Sequence, residues 1–276
     1  MIDANQVAEH YATPDLLGRI DAALARAGCD PLHVAWPDLA AVDQFHVRGL
    51  AATKDLVEAL GATEGDSVID VGSGLGGPSR YLAATRGCHV TGIDLAPEYV
   101  AAASVLAERA GLSSLVKYQQ ANALDLPFAD ASFDHALTQH VAMNIAAREQ
   151  LYGSIRRVLR PGGRLAIYDV VKGNDEPLKF PVPWARGPEI SFLLTGDAMR
   201  DVLAKTGFTE LSWDDQTDNG IAWFERQRAA LEAADAPPPL GVNVILGAQF
   251  REMAANLTDN LRAGRVRLVQ TVVQWA

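Results

Sequence analysis

The pattern of apolar and polar residues changes character about sixty residues into the chain. Before that point, apolar positions recur three and four residues apart over 7–20 and again over 50–60, which predicts two amphipathic helices. The second of them ends at Gly61. After it, short apolar runs alternate with longer amphipathic stretches. This order of strand, helix, strand and helix predicts an α/β fold with a parallel sheet.

The alternation places the individual elements. The predicted strands are 67–71, 89–94, 116–119, 133–138, 164–168, 208–213 and 265–273. The predicted helices are 77–86, 97–110, 147–159, 197–205, 220–233 and 244–262. Residues 171–194 hold four prolines among large apolar side chains, a texture too broken for a long helix and too apolar for a solvated linker. We interpret 171–194 as a lid, 1–60 as a helical cap, and 61–276 as the domain that carries the lid.

Composition narrows the class of protein and of partner. With 276 residues, of which 49% are hydrophobic, the chain can fill one large core. The net charge of −10 and the absence of a basic run argue against a nucleic-acid partner. Two cysteines make no disulfide framework, and no metal-ligand spacing is present. Because no signal peptide or membrane-spanning run is seen, we expect a cytoplasmic protein without membrane insertion.

A glycine-rich turn joins the first predicted strand to the helix that follows it. The segment 68–77 reads Val-Ile-Asp-Val-Gly-Ser-Gly-Leu-Gly-Gly. Glycine permits positive φ and close approach of a ligand to the backbone, and the helix start offers unpaired N–H groups. Asp94 ends the second strand roughly 20 residues later, where a carboxylate suits the two hydroxyls of a ribose. The sequence therefore predicts a nucleoside cofactor.

Two features distinguish between the cofactors that use such a turn. Asp70 lies before the first glycine, where a carboxylate would repel a pyrophosphate but attract the ammonium of a methionine moiety. The turn also follows a long helical region, whereas a dinucleotide fingerprint usually opens its domain. Both favour a cofactor with a methionine moiety, and an NAD-dependent oxidoreductase remains the lower-ranked alternative.

Five motifs as a set resemble the class I S-adenosylmethionine-dependent methyltransferases. They are the glycine turn at 68–77, Gly-Ile-Asp-Leu at 92–95, Asn-Ala with Leu-Pro-Phe within 122–128, Ser-Phe-Asp at 132–134, and Arg-Val-Leu-Arg-Pro-Gly-Gly-Arg-Leu at 157–165. The resemblance covers about residues 60–170. It implies S-adenosylmethionine as cofactor, S-adenosylhomocysteine as product, and a doubly wound, seven-stranded, mostly parallel Rossmann-like sheet whose last strand is antiparallel.

The resemblance also implies which residues bind the cofactor. The turn would hold the methionine portion, the acid ending the second strand the ribose, and the segment before Leu-Pro-Phe the adenine edge. The expected cofactor-binding residues are Asp70, Gly72, Ser73, Gly74, Gly76, Asp94, Leu95, Asn122, Ala123 and Gln139. Many family members carry Asp where this chain has Asn122, whose carbonyl oxygen can still accept a hydrogen bond. The alternative is that Asn122 only stabilises a turn before Leu124.

The methyl group is expected beyond the fourth strand, because ligands of open parallel sheets lie at the carboxyl ends of the strands. Gln139 and His140 follow that strand, and His140 is a candidate base. Tyr11 and His46 of the cap are further catalytic candidates. Each of these three side chains could instead be a hydrogen-bonded part of the core. A base is optional, since displacement at a sulfonium needs mainly alignment and only hydroxyls and acidic carbons must lose a proton.

A narrower resemblance, to the sarcosine and dimethylglycine N-methyltransferases, rests on the Gln139 segment, His-Val-Arg-Gly at 46–49 and Arg-Ala-Gly-Arg-Val at 262–266. Many such enzymes place a catalytic His where this chain has Asn144. The expected reaction is methyl transfer to the N or O atom of a small molecule. The alternatives are C- or O-methylation of a lipophilic metabolite, as in quinone-biosynthesis relatives, and a non-catalytic S-adenosylmethionine-binding protein. A homodimer through the terminal strand or the 244–262 helix is a further expectation.

Overall fold

A seven-stranded sheet forms the centre of the protein. The computed structural model describes residue 11, residues 13–234, residue 236 and residues 238–275. Residues 1–10 of the predicted cap therefore lie outside the described residues, including the start of the helix predicted over 7–20. The strands are β1 Ser67–Val71, β2 His89–Asp94, β3 Val116–Gln120, β4 Phe133–Gln139, β5 Leu159–Lys172, β6 Phe208–Asp215 and β7 Val266–Trp275. Their order is β3-β2-β1-β4-β5-β7-β6, and β7 is antiparallel to both of its neighbours. The predicted fold class is confirmed.

Helices cover both faces of this sheet. They are α1 Leu16–Arg26, α2 Ala40–Asp43, α3 Leu50–Leu60, α4 Gly77–Arg86, α5 Pro97–Arg109, α6 Arg148–Val158, α7 Gly196–Lys205, α8 Thr217–Ala233, α9 Asn243–Leu246 and α10 Phe250–Arg262. Short 3-10 turns occur at Trp36–Leu39, Ala142–Asn144, Pro188–Ile190 and Gly247–Gln249. Since Val68, Ile69 and Val71 of β1 are fully buried, the central strand is covered on both sides. Within the described residues, the helices fall short of the length and apolarity that a bilayer span requires.

The strand order determines where a ligand fits. Strand β1 pairs with β2 on one side and with β4 on the other, both in parallel, so the winding direction reverses between β1 and β4. In doubly wound sheets the ligand crevice lies at the carboxyl ends of the strands beside such a reversal. The glycine turn leaves β1 at this edge, and His140 leaves β4 at the same edge.

Three predicted elements differ from the structure. Strand β5 extends beyond the predicted 164–168 at both ends, since Leu159 pairs with Phe133 of β4 and the strand pairs with β7 as far as Lys172. The predicted helix 244–262 is two helices, since Gly247 adopts φ 70° and ends α9. Strand β7 lies between β5 and β6, so the terminal strand that we expected as a dimer contact is interior, and β3 and β6 are the edges.

The segment after β5 is anchored by large buried side chains. Val182, Trp184 and Ala185 are almost entirely buried and belong to the main core cluster. The Trp184 indole N–H donates to Ser191 Oγ at 3.0 Å, which satisfies its polar atom. The segment that we interpreted as a lid is therefore packed against the core, and its function as a lid stays a prediction.

Candidate cofactor and acceptor site

A cavity of about 2100 Å³ opens at the carboxyl ends of β1, β2 and β4. Sites for single small ligands are usually about 300–1,000 Å³, so this cavity has room for a nucleoside cofactor together with a second molecule. Twelve predicted site residues line it: Tyr11, His46, Asp70, Gly72, Ser73, Gly74, Asp94, Leu95, Asn122, Ala123, Gln139 and His140. The remaining one, Gly76, does not. Among the described residues no group of three carboxylate, histidine or cysteine side chains is arranged to hold a metal ion.

The glycine turn adopts the backbone that its sequence predicts. Gly72 and Gly74 have φ of 77° and 51°, which glycine adopts without steric cost. The backbone N–H groups of Gly72 and Ser73 both donate to Ile93 O, at 2.8 and 2.9 Å, which fixes the turn against β2. A Cβ at Gly72 would overlap the side chain of Val141. The turn is therefore held from two sides and cannot accept a larger residue.

Gly76 has a structural role in the described structure, and its assignment as a cofactor-binding residue stays a prediction. Its φ is 77°, and a Cβ there would overlap the Tyr118 ring and hydroxyl. The Tyr118 hydroxyl donates to Gly76 O at 3.1 Å. The motif required glycine here because a neighbouring side chain packs against the backbone, and no ligand is needed to explain it.

Gly76→Ala is therefore expected to lower the free energy of unfolding by about 2 kcal/mol, from unfavourable φ and the displaced Tyr118. The matched control is Gly153→Ala in the middle of α6, where a Cβ would meet nothing within 4 Å. That change should stabilise by about 1 kcal/mol through helix propensity. Urea unfolding of both variants provides the measurement, and equal stability of the two would contradict the packing role of Gly76.

Asp94 is held by backbone donors from two directions. Its Oδ2 accepts from Gly74 N at 2.9 Å, and its Oδ1 accepts from Ala96 N at 3.0 Å. Burial raises the pKa of this carboxyl, while the backbone hydrogen bonds oppose that rise. A carboxylate has about four acceptor sites, so two hydroxyls could still be bound. Asp94 thus stabilises the glycine turn and keeps acceptor capacity at the cavity that it lines.

Asp70 is a buried carboxyl at the end of β1. Its side chain is about 2% exposed and lines the cavity, and Ser79 Oγ donates to its Oδ2 at 2.5 Å. Burial raises its pKa to about 7, against the smaller opposing effect of the Ser79 hydrogen bond. A positive charge placed next to this buried carboxyl would favour its ionised form. Ser73 Oγ, in the same turn, is buried without a hydrogen-bond partner among the described residues.

Asn122, which follows β3, stabilises a turn. Its Oδ1 accepts from Leu124 N at 3.0 Å, and its backbone carbonyl accepts from Asp125 N at 3.0 Å. The residue is exposed and lines the cavity together with Ala123. The turn-stabilising alternative is thus present in the structure. It does not exclude adenine binding, because one lone pair and the amide N–H₂ of Asn122 remain.

His140 is held in a strained and well-defined position. Its φ is 53°, its backbone N–H donates to Tyr168 O at 2.8 Å, and its ring stacks on the Tyr168 ring at 5.0 Å. Burial and the nearby His46 hold the pKa of His140 well below its usual range, so the imidazole is neutral near pH 7. Its Nε2 is buried and has no partner among the described residues. A neutral imidazole facing a cavity suits binding, or deprotonation, of an acceptor.

His46 and Gln139 belong to one buried polar network centred on Thr53. The Thr53 hydroxyl donates to Gln44 Oε1 at 2.6 Å and lies 3.0 Å from His46 Nε2 and 3.3 Å from Gln139 Oε1. His46 Nε2 is also 3.1 Å from the carbonyl of Gly49, which can only accept, so this nitrogen carries the proton. Burial lowers the pKa of His46 to about 4. His46 is therefore neutral, and its Nε2 is already occupied by contacts within the cap, with Gly49 O and the Thr53 hydroxyl.

Tyr11 reaches the cavity from the N-terminal side. Its hydroxyl donates to Asn144 Oδ1 at 3.0 Å. Burial, followed by the nearby Tyr99 and Asp94, raises the pKa of Tyr11 far above its usual range. The phenol stays protonated at any physiological pH, and it is a hydrogen-bond donor here.

Sequence reasoning missed a buried ion pair beneath the cap. Arg80 Nη2 of α4 lies 2.8 Å from Asp43 Oδ2, and both side chains are almost fully buried. The backbone oxygen of Asp43 also lies so close to Gly77 that a Cβ there would be 2.5 Å away. The pair therefore fixes α2 against the start of α4, next to the glycine turn. The sequence did contain a sign of this pair. Arg80 lies at a helix position whose spacing from the apolar residues predicts burial, and a buried arginine needs an acidic partner.

Comparisons with known proteins agree with this geometry. A family model described as a methyltransferase domain matches residues 69–167. The O-methyltransferase resE of Aspergillus sclerotiorum is 34% identical over 192 residues, which are 68% of this chain and 72% of that protein. The sterol 24-C-methyltransferase of Eremothecium gossypii is 32% identical over 61% of this chain, and the match spans 48% of its length.

Two solved structures share the fold. The [4+2]-cyclase SpnF has a TM-score of 0.70 and 24% identity, over 98% of this chain and 95% of that one. A candidate sarcosine dimethylglycine methyltransferase from Galdieria sulphuraria has a TM-score of 0.68 and 17% identity, over 87% and 95%. The resemblance that the sequence motifs carried is confirmed. This chain belongs to the S-adenosylmethionine-dependent methyltransferases.

Proposed function

We propose that this protein methylates a largely apolar small molecule at an oxygen or nitrogen atom. The observation that carries this proposal is the lining of the cavity away from the glycine turn. The large apolar side chains there are Met143, Trp184, Trp223, Phe224, Leu231, Leu246, Phe250 and Leu257. Such walls favour an acceptor with an extended apolar surface, since small polar amines would leave most of this lining against water.

Two further observations support an apolar acceptor. Trp223 and Phe224 of α8 are only partly buried although they pack edge to face at 4.9 Å, so apolar surface remains for a ligand to cover. The relatives named above are an O-methyltransferase and a sterol C-methyltransferase. These names leave the acceptor atom open, and C-methylation of a lipophilic metabolite stays the alternative.

The residues of the glycine edge fit the cofactor of this family. In our proposal Asp70 faces the ammonium of the methionine portion, and Asp94 accepts from the ribose hydroxyls. Leu95, Asn122 and Ala123 flank the adenine, and Gln139 lies near the methyl group. The unpartnered Ser73 hydroxyl and the acceptor capacity left on Asp94 support this arrangement.

The chain's own groups act mainly by alignment and by excluding water. S-adenosylmethionine, when bound, supplies a methyl group activated by the sulfonium. In our proposal His140, held by Tyr168, accepts a proton from an acceptor hydroxyl, and its neutral state supports this role. In our proposal the cap and the predicted lid at 171–194 cover the cavity and exclude water during transfer.

We also propose the kind of partner, the location and the assembly of this protein. The net charge of −10 supports a small-molecule partner over nucleic acid. We propose a cytoplasmic location. A homodimer, if formed, would use an edge of the sheet or α10, since β7 is interior.

Mass spectrometry with S-adenosylmethionine labelled at the methyl group tests this proposal. The protein is incubated with matched acceptors that carry a hydroxyl, an amine or an activated carbon on the same fused aromatic frame, and with sarcosine and dimethylglycine. Label on an apolar hydroxyl or amine, strongly reduced with Asp94→Ala at cofactor concentrations near the Kd of the unmodified protein, is the expected result. Label on the polar amines alone would contradict the apolar acceptor, label on carbon would establish the alternative, and no label would indicate a binding protein or another reaction of the fold.

His140→Gln is expected to lower kcat about a hundredfold with a hydroxyl acceptor and to leave the Kd of S-adenosylhomocysteine unchanged. Loss of the proton acceptor slows the chemical step without touching the glycine turn. The matched control is His33→Gln, at an exposed histidine outside the cavity. Full activity of the His140 variant in steady-state kinetics would restrict His140 to packing.

A further inference from the structure

One side chain, the carboxamide of Asn144, joins three segments that enclose the cavity. It lies at the end of the 3-10 turn after β4 and is 8% exposed. Its Oδ1 accepts from the Tyr11 hydroxyl at 3.0 Å. Its Nδ2 donates to the backbone carbonyls of Trp184 at 2.7 Å and Ile190 at 2.8 Å.

These hydrogen bonds fix the orientation of the amide. Nδ2 has two hydrogens, and both are directed to carbonyl oxygens, which can only accept. The side chain therefore has no donor left for an acceptor molecule. Because a carboxamide also takes up no proton near neutral pH, Asn144 cannot replace the catalytic histidine that the narrower resemblance places here. Its role has to be sought in what it connects.

On one side, Asn144 connects to the cofactor end of the cavity. Tyr11 lines the same cavity as Asp70 and Asp94. The Thr13 hydroxyl, two residues on, donates to Tyr11 O at 3.1 Å and approaches Ile245 O of α9 at 3.5 Å. Tyr11 thus lines the cavity that Asp94 also lines, and its backbone is connected through Thr13 to α9.

On the other side, Asn144 connects to residues 182–192, which we call the acceptor wall. This stretch borders the apolar part of the cavity, which we call the acceptor chamber. Trp184, whose carbonyl it binds, also lines the cavity. The same wall is joined to the turn by two bonds that do not involve Asn144, from Phe192 N to Met143 O at 2.8 Å and from Arg148 Nη2 to Phe192 O at 2.8 Å. Loss of the Tyr11–Asn144 bond alone therefore leaves the wall attached.

We propose that Asn144 is a positioning residue that couples cofactor binding to the order of the acceptor wall. Bound cofactor holds Tyr11 in place, Tyr11 holds the Asn144 carboxamide, and the carboxamide fixes the backbone at Trp184 and Ile190. The acceptor chamber is then fully formed only after the cofactor has bound. This inference rests on the proposed function, because it requires a cofactor beside Asp94 and an acceptor beside Trp184.

Tyr11→Phe separates this coupling from a merely structural role, since it removes one hydroxyl and keeps the ring. We expect the Kd of S-adenosylhomocysteine to rise about fivefold, the effect of one net hydrogen bond. In hydrogen-exchange mass spectrometry, S-adenosylhomocysteine should slow exchange of the amides at 182–192 in the unmodified protein and much less in the variant. The matched control, Tyr81→Phe, alters a tyrosine outside the cavity and should change neither quantity.

The double-mutant cycle with Asn144→Leu completes the test. Both single variants should weaken binding, and the double variant should bind no worse than Asn144→Leu, because the same bond is lost in each. If Asn144→Leu does not fold, the exchange data on Tyr11→Phe decide alone. Equal protection of 182–192 with and without the Tyr11 hydroxyl, while S-adenosylhomocysteine binds normally, overturns the coupling only. Failure of the unmodified protein to bind S-adenosylhomocysteine overturns the coupling and the proposed function together.

Discussion

Replacement of Asp94 by alanine is expected to weaken binding of S-adenosylhomocysteine about a hundredfold. A hydrogen bond to a charged group contributes roughly 1.5–3 kcal/mol, and the carboxylate is placed to accept from two ribose hydroxyls. The substitution also leaves Gly74 N and Ala96 N without their acceptor, which loosens the glycine turn. Isothermal titration calorimetry gives the affinity, and circular dichroism shows whether the fold is intact.

The matched control for this prediction is Asp214→Ala, at an exposed carboxylate on β6 outside the cavity. It should bind the ligand as tightly as the unmodified protein, because the same charge is removed far from the site. Unchanged affinity of a folded Asp94→Ala variant would refute the ribose assignment. Equal losses in both variants would show that net charge, and not the position of Asp94, sets the affinity.

Asp70→Asn is expected to change stability and cofactor affinity in opposite directions. Above pH 7 the variant without cofactor should be more stable than the unmodified protein, by on the order of 2 kcal/mol. Its affinity for S-adenosylmethionine should fall at least tenfold, because a neutral amide no longer attracts the ammonium. Asn can still accept from Ser79, so the local hydrogen bond is retained.

The sign of the stability effect follows from the pKa of Asp70, which is about 7 in the folded protein against an ordinary value of 3.8. Between these two values the folded chain binds a proton that the unfolded chain has lost, so stability falls as the pH rises through this window. The penalty is complete above pH 7 and absent below about pH 4. The stabilising effect of Asp70→Asn should therefore be larger at pH 8 than at pH 5.

Thermal unfolding at several pH values, without and with S-adenosylmethionine, measures both effects. The unmodified protein should also bind this ligand more tightly as the pH rises through 7, with release of a proton below that value. A variant less stable than the unmodified protein at pH 8, or an affinity that does not depend on pH, would contradict the prediction that ionised Asp70 destabilises the free protein and binds the cofactor's ammonium.

The parts of the site that the sequence predicted well are those determined by neighbouring residues. The turn at Gly72 and Gly74 depends on local backbone angles and on the start of the following helix, and Asp94 follows from its place at the end of β2. The packing role of Gly76 was not predicted, because the motif shows that glycine is required but not that Tyr118, 42 positions away, packs against it.

The parts that sequence reasoning missed depend on contacts between distant segments. Arg80 and Asp43 are 37 positions apart, and the partners of Asn144 lie 133, 40 and 46 positions away. No local period or motif reports such pairs. The length of β5 was underestimated for the same reason, because its last four residues, 169–172, pair with β7 and no longer with β4.

The fold by itself does not determine the reaction. A cyclase covers 98% of this chain at a TM-score of 0.70, while the curated relatives that match in sequence are methyltransferases. The proposed activity therefore depends on Asp70, Asp94 and His140 and on the apolar chamber beside them. Variants of these residues test it more sharply than further comparison of folds.

The most direct test of the central claim, that the edge formed by β1, β2 and β4 binds an S-adenosylmethionine-type cofactor, is calorimetric titration of the unmodified protein. S-adenosylmethionine, S-adenosylhomocysteine and NAD are titrated in parallel at pH 8, where Asp70 is ionised. We expect micromolar binding of the first two and none of NAD. Binding of NAD, or of none of the three, would contradict it.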